Sequence, residues 1–348
     1  MFDARALVLL FLAPLGCDRP ASASVQREPR GAAAQEASSA LQARQGDTPD
    51  APSPDETPPK APPPARPPQT ACPKFNAGVA SGRVASRDID ETSGLVASRR
   101  HADVLWLHND SGDGARVFAV DPAGTLLGIF TLPTVEAIDW EDIAVGPGPR
   151  ADQSYLYIAD IGDNGRRRKE GVFLYRVPEP PLTATPGEPA RGHLGPLERF
   201  RLRYPDGPHD AETLLVDPTT GEVVVLTKAL FRTPRIFYVD VLDKPLATFE
   251  GGEPLDLEAA GIRALLPTGG DVSADGRWVL VRSYRSAYLW QRAEGQRLRD
   301  VFRSRACPVP VAAEVQGEAI GFSADGRSYY TVSEGRHPTV YHYTRPSE

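Results

Sequence analysis

Lysine is nearly missing from this chain. Lys60, Lys74, Lys169, Lys228 and Lys244 are the only ones, and 46 acidic residues leave a net charge of −7. A nucleic-acid surface needs a basic stripe, so that partner class is excluded. Long apolar runs are missing too. The best, Ala6–Leu15, has ten residues, half of the roughly 20 a membrane-spanning helix needs. Helical periodicity is almost absent, and Leu255–Leu266 is the best candidate for a helix. There is no G-x-S-x-G elbow, H-E-x-x-H, P-loop or C-x-x-C, so the commonest enzyme signatures are lacking. The six histidines are scattered, with His108 and His209 nearest to other polar motifs. Cysteine occurs three times, at Cys17, Cys72 and Cys307.

What is present begins at the N-terminus. Arg5 followed by Ala6–Leu15 has the make-up of a secretory leader. It ends in Leu15-Gly16-Cys17, which resembles a bacterial lipoprotein processing site. That resemblance implies a leader of 1–17, lipidation at Cys17, export, and anchoring in the cell envelope through a membrane-inserted lipid. Setting Cys17 aside leaves Cys72 and Cys307. An even remainder in an exported chain points to a disulfide between the two ends of the folded region, fastening the N-terminus to the last repeat. Residues 18–73 are rich in Pro, Ala, Ser and charge, with PPKAPPPARPP at 58–68 and no aromatic after Cys17. Such a segment cannot bury enough apolar surface to fold and reads as a disordered tether.

Over 74–345 the texture changes. Runs such as VLWLHND (104–110), YLYIAD (155–160), EVVVLTK (222–228) and WVLVRSY (278–284) recur between Gly, Pro, Asp and Asn. These are successive antiparallel strands. They group into repeats. Starts read Glu91-Thr-Ser-Gly, Glu141-Asp-Ile-Ala, Glu212-Thr-Leu-Leu and Glu318-Ala-Ile-Gly, and SADGR turns recur at Ser273 and Ser323. Four-stranded units at a period of about 40–50 residues mean propeller blades. The expected fold is an all-β propeller of five or six four-stranded blades, with Val79–Ser86 pairing into the last blade to close the ring. Trp106, Trp140, Trp278 and Trp290 are expected between blades.

In a blade, the start of the first strand and the end of the second meet on one face. Both places are polar here. The starts supply Glu91, Glu141, Asp142, Glu212 and Glu318. The ends supply Asp110, Asp160, Asp163, Lys228, Arg282, Tyr284 and Glu334. Carboxylates gathered on one rim repel unless a cation compensates them. Calcium suits an irregular set of oxygens. The nine acids of this set are therefore the expected metal ligands, with Lys228, Arg282, Tyr284 and His108 beside them for a small or anionic ligand. Two Asx-rich loops, His108–Gly114 and Asp160–Gly165, read equally as calcium loops or as turns.

The ETSGL start, DWEDIAVG (139–146), YIADIGDN (157–164) and QGEAIGFSADG (316–326) resemble bacterial TolB-like and phytase-like propellers. The phytase-like resemblance implies calcium held by acids at the channel mouth and phosphate held by basic residues, on this chain Lys228 and Arg282. Three functions stay open: a monomeric envelope propeller binding a ligand with calcium, a calcium-dependent phosphoester hydrolase, and a metal-free protein-binding propeller.

Overall fold

The computed structural model describes residues 71–183, 187–228, 230 and 232–347. Cys17, the leader and almost all of the 18–73 tether lie outside the described residues. Five sheets form, each built on four antiparallel strands, and two of them carry a fifth strand at one edge. Blade 1 comprises Thr92–Ala97, Leu105–Asn109, Arg116–Val120 and Leu126–Thr131. Blade 2 comprises Trp140–Gly146, Tyr155–Asp160, Val172–Pro178 and Glu198–Arg203. Blade 3 comprises Ala211–Val216, Val223–Thr227, Arg235–Val239 and Glu250–Pro254. Blade 4 comprises Gly269–Val272, Trp278–Ser283, Ser286–Gln291 and Cys307–Val309. Blade 5 takes Gly317–Phe322, Tyr329–Ser333 and Thr339–Tyr343 from the C-terminus and its outer strand, Val79–Arg83, from the N-terminal side. The molecule is thus a five-bladed propeller. The N-terminal strand expected to close the ring does so, with Val79 opposite His342.

Each first strand packs beside the first strands of its neighbours, and that of blade 5 returns to that of blade 1. These innermost strands are buried along their whole length because both faces meet another blade. Alternating side chains therefore enter two different inter-blade cores. Trp106, Phe130, Trp140 and Tyr175 fill the seam of blades 1 and 2, and Trp290 and Phe302 that of blades 3 and 4. Trp278 is only half-buried, against blade 5 residues. Two short strands run parallel along outer edges. Ala190–His193 augments blade 1 and Leu246–Thr248 augments blade 2. They cover edges that would otherwise offer unpaired backbone groups.

The two SADGR turns fold alike. Ser273 and Ser323 each donate to the Asp two residues on at 2.6 Å. Gly276 and Gly326 take φ of 70° and 68°, a region open to glycine at little cost. The helical expectation at Leu255–Leu266 shrinks to one turn, Leu257–Ala260. Asp256 caps it by accepting from Ala259 N at 2.9 Å, and Gly261 ends it at φ 71°. Cys72 and Cys307 form the expected disulfide. It fastens the N-terminal side to the outer strand of blade 4 rather than to blade 5, because blade 5 already receives Val79–Arg83.

Candidate metal centre at the channel mouth

Four innermost strands slip register at the same place. The slips fall between Thr92 and Gly94, Trp140 and Asp142, Ala211 and Thr213, and Gly317 and Ala319. The extra residues are Ser93, Glu141, Glu212 and Glu318. A bulge re-aims the side chain it carries, and here it aims equivalent side chains from separate blades toward one mouth. Glu141 and Glu212 feel each other's charge, and each feels that of Glu318. A second layer lies two residues earlier. Glu91, Asp139, Asp210 and Gln316 each accept the backbone N–H that ends the neighbouring strand, from Asp110, Gly162, Lys228 and Glu334 respectively.

This register corrects the alignment expected from the sequence. Glu91 matches Asp139 and Asp210, not Glu141, and it is exposed on the rim. The innermost position of blade 1 is Ser93, whose hydroxyl donates to Glu141 O at 2.6 Å. Asp139 and Asp210, which are not among the nine acids expected as ligands, join the cluster.

Two sets of carboxylates come together. One oxygen each from Glu141, Asp210 and Glu212 lie within 4.8 Å of one another, and so do one each from Asp110, Asp139 and Glu141. Glu141 belongs to both. Lys228 Nζ donates to Glu212 Oε1, and to the Tyr284 hydroxyl at 2.7 Å. Glu212 Oε2 is buried with no partner. Gly162 closes over the pair of sets: a Cβ there would stand 2.1 Å from Glu141 Oε1 and 2.5 Å from Asp139 Oδ2. No larger residue fits without moving those carboxylates.

Burial and mutual repulsion raise the proton affinity of the cluster. Burial, then the neighbouring charges of Glu212 and Asp110, hold Glu141 well above the usual carboxylate range. Burial lifts Glu212 to about 8, although Lys228 pulls the other way. Asp110 is pushed up to about 7 and Asp139 to about 6, in both chiefly by burial. Glu334 rises to about 8 through burial and the charge of Glu318.

Other expected members sit elsewhere. Asp142 points inward as a pin: its carboxylate accepts from Ile143 N at 2.9 Å, Leu214 N at 2.9 Å and Gly270 N at 3.1 Å. It ties three blades together and has no oxygen facing the rim cluster. Asp160 is fully buried on Arg168 (2.7 Å) and Asp139 N (3.2 Å). Asp163 caps the amides of Arg167 and Arg168 at 2.7 and 2.8 Å. The Asp160–Gly165 loop is thus a capped turn. In the other Asx-rich loop Asp113 holds Arg116 at 2.7 Å. Arg282 is not a free anion holder. Its side chain is buried on Glu314 at 2.9 Å and on Ala319 O at 2.9 Å. His108 is buried edge-on against Trp140, with Nδ1 2.8 Å from Asn109 O, and burial lowers its pKa to about 4. Neither residue reaches the mouth. His209 pairs with Asp206 at 2.8 Å. Of the thirteen expected ligand and metal residues, the mouth gathers Asp110, Glu141, Glu212, Glu318, Glu334, Lys228 and Tyr284 around its carboxylates, with Glu91 on the rim.

No family model matches the chain, and no curated protein matches it. Similar solved structures include a gluconolactonase from Xanthomonas campestris, with 12% identity and TM-score 0.41 over 81% of this chain and 99% of that one. The PQQ-bound aldose sugar dehydrogenase of Streptomyces coelicolor gives 11% identity and TM-score 0.44 over 79% and 99%. Hydrazine synthase of Kuenenia stuttgartiensis gives 12% and 0.38 over 75% and 97%. At these identities and TM-scores none of them bears on what this chain binds; the β-propeller rests on its own sheet topology.

Proposed function

We propose that this propeller binds a divalent cation, calcium, between Glu141, Asp210 and Glu212, and through it an oxygen-bearing ligand at the channel mouth. The observation that carries the reading is Glu212. One of its oxygens is held by Lys228, and the other is buried beside two more carboxylates with no donor. A buried carboxylate oxygen without a partner is costly, and a bound cation removes that cost. An all-oxygen set of carboxylates suits a hard cation, and the irregular arrangement favours calcium over magnesium, which demands near-octahedral ligands. Asp110, Asp139 and Glu141 offer a second position that shares Glu141. The cation supplies an electrophilic contact for a ligand oxygen, while Lys228 and Tyr284 hold Glu212 in place.

The test is titration calorimetry of calcium and magnesium into the chelator-stripped protein. Calcium should bind with one or two sites per chain and more tightly than magnesium. Glu141→Gln with Glu212→Gln should weaken calcium at least about 100-fold, since two of three anionic ligands are neutralised. Unchanged calcium affinity in the double variant would place the ion elsewhere.

A further inference from the structure

Beside the mouth, between blades 3 and 4, lies a cleft of about 650 Å³. Its walls carry Arg232, Arg263 and Arg285, all exposed. Among the described residues none of these three has a carboxylate or hydrogen-bond partner, so all three guanidiniums are available to a ligand. Its lining is also apolar. Leu257 contributes, and Leu230 stands 68% exposed there, one of few large apolar side chains so open. Tyr284 forms the wall shared with the acidic centre, since its hydroxyl receives Lys228 Nζ. The charge of this cleft is thus opposite in sign to that of the mouth next to it.

Three guanidiniums around exposed leucine match one ligand chemistry. Arginine forks recognise carboxylate or phosphate oxygens in pairs. Apolar side chains take an organic body, and a few hundred cubic ångströms is the size of a small-molecule site. We infer that this cleft is a second binding site, for a small organic anion that carries its charge at one end and an apolar group at the other. The site shares Tyr284 with the cation centre, but none of its three arginines contacts a carboxylate of that centre, so anion binding here does not require the ion.

Phenyl phosphate is a suitable probe, with phenol and inorganic phosphate as controls, titrated by calorimetry in the presence of EDTA. Phenyl phosphate should bind, at least about tenfold more tightly than either control, because each control lacks half of the recognition. Arg263→Ala with Arg285→Ala should weaken it at least about tenfold, the scale of one lost charge-assisted bond. Both arginines are exposed, so an unchanged melting temperature will show that the variant folds. Wild-type affinity in that variant, or inorganic phosphate binding as tightly as phenyl phosphate, would overturn the inference. Phenyl phosphate that binds only with calcium present would also overturn it, while leaving the cation site intact. Loss of calcium binding with phenyl phosphate retained would strike the cation reading alone.

Discussion

At the scale of single residues, position within the bulge decides what an acid does. Glu141 and the adjacent Asp142 differ by one place. Glu141 occupies the slipped position and enters the carboxylate cluster; Asp142 points between blades and accepts three amides. Gly162 matters because its missing Cβ leaves room for two carboxylates. Gly162→Ala should fold yet lose calcium affinity, at least about tenfold, as about 1.4 kcal/mol of ligand displacement implies; calorimetry with wild-type affinity would contradict the cradle. Much of this cluster was legible in the sequence. Glu141, Glu212 and Glu318 each stand two residues before an Ile or Leu, and Ser93 stands two before Leu95 in the same way. Glu91 resembles the same repeat only because it is an acid two residues before the bulge. Only the strand pairing shows that it belongs with Asp139 and Asp210. Arg282 and His108 read as polar strand ends, but burial is a property of neighbouring blades and leaves no local mark.

At the scale of elements, the innermost strands join a buried polar layer to apolar seams. Arg282 on the second strand of blade 4 meets Glu314 in the connection to blade 5, and both are almost fully buried. Removing one member of such a pair strands the other charge. Glu314→Ala should therefore destabilise the domain by about 3–5 kcal/mol in urea unfolding, and a loss below about 1 kcal/mol would show that the pair holds nothing together. Strands and turns were the most readable level. The SADGR repeats form matching turns because their Ser, Asp and Gly make the same local bonds. The two parallel edge strands were not readable. Ala190–His193 and Leu246–Thr248 are short, half-exposed segments whose partners are set by tertiary packing.

For the whole molecule, ring closure and charge govern stability. The bond between Cys72 and Cys307 joins positions 235 residues apart. Restricting an unfolded chain over such a loop stabilises by up to about 5 kcal/mol in the chain-entropy description. Cys72→Ser with Cys307→Ser should lower unfolding free energy within that bound, and unchanged stability would mean the bond constrains nothing. The acidic cluster makes stability depend on pH in a definite direction. Asp110, Asp139 and Glu212 have folded pKa values raised to about 7, 6 and 8, above those of the unfolded chain. The folded state then binds more protons, so this contribution is full below about pH 4 and is lost as pH rises toward 8. In EDTA the wild-type melting temperature should fall more steeply between pH 5 and pH 8 than that of Glu141→Gln with Glu212→Gln, and parallel slopes would contradict the assignment of these shifts. Calcium should restore what alkaline pH removes. The most direct measurement is a crystal structure grown in calcium. An ion bound by Glu141, Asp210 and Glu212 at about 2.3–2.6 Å is the expected result. Saturating calcium with only water between those three carboxylates would contradict it.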